Sequence, residues 1–179
     1  MLQETISQGD FLYHAVHGLC RVDLVAKEGQ SGQGGLSYSL VPKTANRMKV
    51  RFVIAGTDMK ASGFHSLVSV KEANKILDYL EGGKGEKTLP SGAEAPSSPE
   101  YQARDLASAV RSFSRESLEV KDQRKRKVLE RSVQGLVREL AIVFNMPLKE
   151  TAAKVRKSLG ETPKINPSVL AALSRAGED

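Results

Sequence analysis

The sequence predicts an α+β chain in two halves, a small antiparallel β-barrel followed by an α-helical bundle. Two periodicities and one break in composition point to it. Between residues 9 and 54, apolar side chains recur at every second position within short runs, the spacing of strands with one buried and one wet face. From about residue 99 they recur every third or fourth position, as on helices with one apolar stripe. In between, GGKGEKTLPSGAEAPSS (82–98) is rich in Gly, Pro and Ser and has no apolar period. It reads as a flexible linker. The expected domains are therefore 1–81 and 99–179, and 179 residues at 40% hydrophobic content leave room for two small cores.

The strand runs are FLYH, GLCRVDLVAKE, LSYSLVP and RMKVRFVI, rich in Val, Leu, Tyr and Phe. In the second, Val22 and Leu24 alternate with Arg21 and Asp23. In the fourth, Met48, Val50 and Phe52 alternate with Lys49 and Arg51. Short strands with no helix between them favour a highly curved barrel or sandwich. Gly9–Asp10 and His17–Gly18 supply tight turns. GQSGQGG (29–35) lacks the Gly-Lys-Ser/Thr ending and the following helix of a phosphate loop, so it reads as a hairpin tip. A helix follows at about 70–81, capped by Ser69, with Ala73, Ile76, Leu77 and Leu80 on one stripe.

Beyond the linker, Ser98 and Pro99 open a helix of about 99–115 carrying Ala103, Leu106, Val110 and Phe113 inward. The next, about 120–144, directs Val133, Leu136, Leu140, Val143 and Phe144 to a core, and its first turns read KDQRKRK. Asn145 and Pro147 open another, with Leu148, Ala152, Val155 and Leu159 inward and Gly160 as its stop. Asn166 and Pro167 start a last one, about 167–175. Single amphipathic helices cannot hide their stripes alone, so these should pack together.

Charge narrows the partners. The net +6 is concentrated in residues 101–160, which hold 14 Lys/Arg against 7 Asp/Glu, a distribution suited to an acidic partner such as nucleic acid. There is no Trp. The single cysteine, Cys20, has no partner for a disulfide or a metal site and reads as a small buried hydrophobe. His14, His17 and His65 show no ligand spacing, and no nucleophile elbow, HExxH or paired-carboxylate motif is present. The expectation is a protein that is not an enzyme, with no cofactor and no metal. The polar start, MLQETISQGD, gives no signal peptide, and no run approaches the roughly 20 apolar residues of a membrane span. A cytoplasmic protein is expected.

In QGDFLYHAVHGLCRVDLV, the residues Gly9, Asp10, Tyr13, His17, Gly18 and Val22 resemble the opening of the CarD/CdnL/TRCF family of bacterial RNA polymerase-interacting regulators. The similarity continues through Tyr38 and Leu40, then Met48, Val50 and Arg51, then Gly63 and the helix near Val70. ARDLASAVRSF and RKVLERSVQGLVRELA resemble the family's C-terminal helices. The resemblance covers about residues 8–160, with both halves in family order.

It implies an SH3/Tudor-like N-terminal barrel that binds the β subunit of RNA polymerase through a sheet edge. Arg51 falls where the family places a polymerase-contacting basic residue, with Lys49 and Arg47 beside it. It also implies that the helical half touches promoter DNA, with Arg124, Lys125, Arg126, Lys127 and Arg131 on phosphates. The family's Trp wedge is absent here. The expected protein is a monomer, nucleoid-associated through polymerase. Two other readings are weaker. AIVFNMPLKETAAKVRKSLGE loosely resembles the helix-turn-helix of a sequence-specific regulator, with Lys154, Arg156 and Lys157 on its second helix, but Leu148, Lys149, Glu150 and Thr151 make a poor base-reading set. A peptide- or RNA-binding scaffold would need more surface aromatics than Phe11, Tyr13, Tyr38 and Phe52 supply.

Overall fold

The computed structural model describes residues 6–27, 35–43, 50–59, 61–82, 102–116, 119–160 and 165–178. Among these the chain is α+β, with five strands, a single 3-10 turn and five helices. It divides into two compact units, one running to Leu67 and one starting at Val68.

The first unit is an antiparallel sheet of β1 (Phe11–His14), β2 (Gly18–Lys27), β3 (Leu36–Pro42), β4 (Phe52–Ala55) and β5 (His65–Ser66), in the order β4-β3-β2-β1-β5. No hydrogen-bonded ladder joins β4 to β5, so the sheet has two edges among the described residues. The turn from β1 to β2 ends on Gly18, whose φ of 71° suits a residue without Cβ. His14 Nδ1 accepts the backbone N–H groups of Val16 and His17, at 3.0 and 3.2 Å, and closes that turn. The core holds Leu12, Cys20, Val22, Tyr38, Leu40, Met59 and Phe64, with Phe52, Ile54 and Val25 packed on its margin.

Two strand expectations change. Val22 pairs with Leu40, but the next pairing is Leu24 with Ser39, so the register shifts at Asp23. An extra residue on one strand reverses the in–out phase beyond it. Leu24, expected inward, is therefore 49% exposed, while Val25 packs on the core. The run RMKVRFVI becomes strand only at Phe52, and Val50, also expected inward, is exposed. Residues 44–49, which include Arg47, Met48 and Lys49, lie outside the described residues, as do residues 29–34 of the expected hairpin tip at 29–35.

The second unit contains α1 (Val70–Glu81), α2 (Ala103–Arg115), α3 (Gln123–Phe144), α4 (Leu148–Ser158) and α5 (Pro167–Glu178). The Ser69 side chain caps α1 by accepting Glu72 N–H at 3.2 Å, and Ala73, Ile76, Leu77 and Leu80 are all buried. That stripe packs against α2, α3 and α4. The helix expected to complete the strand half thus belongs with the helices, and the boundary lies at Leu67/Val68 rather than after residue 81. The linker expected at 82–98 lies, beyond Gly82, outside the described residues, as do Ser98 and Pro99. Helix α2 starts after Gln102, whose side chain makes no capping hydrogen bond. Helix α3 begins at Gln123 rather than near 120, because the Asp122 carboxylate accepts Arg124 N–H and Lys125 N–H at 2.7 and 3.2 Å. Asn145 ends it in the left-handed conformation, φ 50°. Helix α5 extends to Glu178, beyond the expected 175.

Candidate partner and nucleic-acid interfaces

In the strand unit, β4 is the outermost strand at one end of the sheet. Its Val53 is 69% exposed and pairs with Ser39, which in turn pairs with Leu24. The row places two exposed apolar side chains on either side of a serine whose hydroxyl is buried without a hydrogen-bond partner. Arg51, just before β4, donates from Nη2 to Asp23 Oδ2 at 2.8 Å. Arg21 approaches the other oxygen of Asp23 at 3.5 Å. The bulged residue therefore sits between two guanidinium groups. Both arginine side chains are more than half exposed, so each pair is worth about 0–1 kcal/mol and orients more than it stabilises. Lys49 and Arg47, expected beside Arg51, lie outside the described residues.

The same unit brings His14 and His17, close in sequence across one turn, together with two phenylalanine rings. The rings of His14 and His17 stack at 4.5 Å, His14 lies 4.9 Å from Phe64, and His17 lies 4.5 Å from Phe52. Burial, then the neighbouring His17 and His65, hold His14 down at about 4, against a backbone hydrogen bond with Ser62 that raises it. His14 is thus neutral near pH 7 and serves as a turn acceptor. Among the described residues no group of three or more His, Cys, Asp and Glu is arranged to hold a metal ion. Burial pushes the Cys20 thiol up to about 11, away from the thiolate form that reacts or ligates.

In the helical unit, Arg124, Lys125, Arg126, Lys127 and Arg131 are all exposed on α3. Arg124, Lys127 and Arg131 stand three and four residues apart, so they share the face opposite the buried Leu129, Val133, Leu136 and Leu140. Lys125 and Arg126 point to other sides of the first turns. Arg126 Nε donates to Glu130 Oε1 at 3.3 Å, and Arg175 Nη1 reaches the same oxygen at 2.9 Å. The first turn of α3 contains no acidic residue. Cations at a helix N-terminus oppose the helix dipole, and only Asp122 offsets them there. A polyanion on this segment would remove that conflict. The helix-turn-helix reading gains nothing from α4. Thr151 is fully buried and donates to Pro147 O, and Lys154 lies over the Phe144 ring at 4.0 Å. Lys149 and Glu150 are the exposed side chains at its start.

Among the described residues no helix is long and apolar enough to cross a membrane. No protein-family model matches the chain, and no curated protein is significantly similar to it.

Proposed function

We propose that the chain is a non-enzymatic regulator of bacterial transcription of the CarD/CdnL/TRCF type. Its strand unit binds the β subunit of RNA polymerase by adding a strand to the β4 edge, and its helical unit grips promoter DNA through phosphates. The observation that carries the first part is the composition of that edge. A terminal strand with unpaired backbone groups on its outer side offers a template for another chain. Beside it stand Val53, the most exposed large hydrophobic residue described, and Arg51, pre-oriented by Asp23. A partner strand would gain apolar contact and a fixed cation together.

A Tudor-like barrel is the finer reading of the strand unit. Supporting it, the Phe52 and Phe64 rings meet at 5.6 Å, although one lies on β4 and the other just before β5, the two ends of the sheet. The five helices are read as a bundle, because each buries one stripe. With no Trp in the chain, the helical unit is a phosphate grip and not a wedge between bases. Such contacts give affinity that falls with salt and reads little sequence.

Capture of RNA polymerase β subunit by the immobilised full chain tests the reading. Wild type retains the subunit, and Arg51→Glu loses most of it while folding normally, since the exposed pair to Asp23 contributes little to stability. A wild-type chain that leaves the β subunit in the flow-through would sink the proposal.

A further inference from the structure

We infer that α5 is a positioning element for the cationic start of α3, acting through Asn166 and Ser168, and this rests on the phosphate-grip reading above. Asn166 is only 3% exposed, yet it makes polar ties in two directions. Its Oδ1 accepts Ser168 N–H at 2.8 Å and so caps α5. Its Nδ2 donates to Glu116 O at 3.0 Å, and its backbone N–H to Ser114 O at 3.3 Å, so the same residue holds the end of α2 through side chain and backbone. Ser168 Oγ accepts Val120 N–H at 3.1 Å, and Val120 is itself buried. Two residues farther on, Asp122 caps α3, and the basic run begins at Arg124.

A second tie lies downstream. Arg175 of α5 meets Glu130 of α3, which also holds Arg126. Seven residues separate Ser168 from Arg175, and seven separate Gln123 from Glu130, roughly 10 Å of helix in each case. Helix α5 therefore fastens α3 at both ends of its cationic segment. That segment needs fastening. Neighbouring cations repel, and those in the first turn oppose the helix dipole, so a free start would fray and scatter Arg124, Lys127 and Arg131 from their shared face. Apolar packing of Val169, Ala172, Leu173 and Ala176 already attaches α5 to the unit. The buried polar ties add a fixed geometry at one place, immediately upstream of the cations.

The test is binding of the full chain to a duplex DNA of arbitrary sequence across a salt series, with amide exchange measured over residues 119–127. Ser168→Ala is expected to speed exchange there about fivefold, the effect of losing one ordinary hydrogen bond. It should also weaken DNA binding and make the slope of log affinity against log salt shallower by about one phosphate contact. Mere destabilisation would lower the active fraction without changing that slope. Ser168→Thr, which keeps the hydroxyl, restores both. Asn166→Asp, which keeps the cap oxygen but sets a buried carboxylate oxygen against the Glu116 carbonyl, gives the same defect at least as strongly. Faster exchange with unchanged affinity and slope overturns the inference, provided that Arg124→Ala/Lys127→Ala/Arg131→Ala loses binding. If that triple variant binds DNA as wild type does, the phosphate-grip reading fails instead, and the inference with it.

Discussion

The Nδ1 atom of His14 accepts two backbone N–H groups, so the single ring proton must sit on Nε2. A second proton would have to displace those donors and lie in a buried site beside two other imidazoles. Burial first, and then the neighbouring His17 and His65, lower His14 to about 4 from its ordinary 6.5. As pH falls, the unfolded chain takes up the proton first. The stability associated with neutral His14 is therefore complete above about pH 6.5 and is lost as pH falls from there through about 4. Denaturant unfolding at a series of pH values checks this. His14→Asn, whose amide oxygen can accept the same N–H groups, should show a flatter loss of stability between pH 6.5 and 4.5 than wild type. Parallel curves would show that His14 is not the titrating group. Arg51 behaves differently. It is exposed and ion-paired at little energetic consequence, so its importance lies in what it presents.

At the scale of elements, the register shift at Asp23 decides which side chains of β2 face the core. It yields a direct contrast between neighbours. Leu24→Lys should change unfolding free energy by no more than about 0.5 kcal/mol, as surface substitutions do. Val25→Lys, which pushes a charge against the core margin, should cost about 2 kcal/mol or more. An uninterrupted strand would give the reverse order. The sequence could not reveal this, because the alternation of Arg21, Val22, Asp23 and Leu24 is equally regular with or without a bulge. Helix α1 was far more legible. Ser69 and the stripe Ala73–Ile76–Leu77–Leu80 are local signals, and each takes the expected place. What the stripe packs against is not a local property, so the sequence alone does not separate α1 from the strands before it. The basic run on α3 was visible as composition. Its fastening by Asn166 and Ser168 was not, since those hydrogen bonds span about fifty residues and leave no periodic trace. The histidine and phenylalanine rings were invisible as a group for the same reason.

At the scale of the molecule, two compact units meet in sequence at Leu67/Val68, and each carries one proposed contact. The assignment of α1 has a measurable consequence. A fragment of residues 68–179 keeps Ala73, Ile76, Leu77 and Leu80 in the helical core, whereas one of residues 82–179 leaves their partners exposed. Losing several buried side chains costs more than the few kcal/mol of a single large-to-small substitution. Thermal unfolding should therefore be cooperative for 68–179, with a clearly lower Tm or no transition for 82–179. Equal melting would return α1 to the strand unit. In the other unit, the outer side of β4 is proposed to accept a strand of RNA polymerase. Amide exchange of residues 52–55 in the full chain, with and without the polymerase β subunit, tests it most directly. New ladder hydrogen bonds predict slowed exchange at alternate positions of β4 in the complex. A stable complex in which exchange at residues 52–55 is unchanged would contradict strand addition.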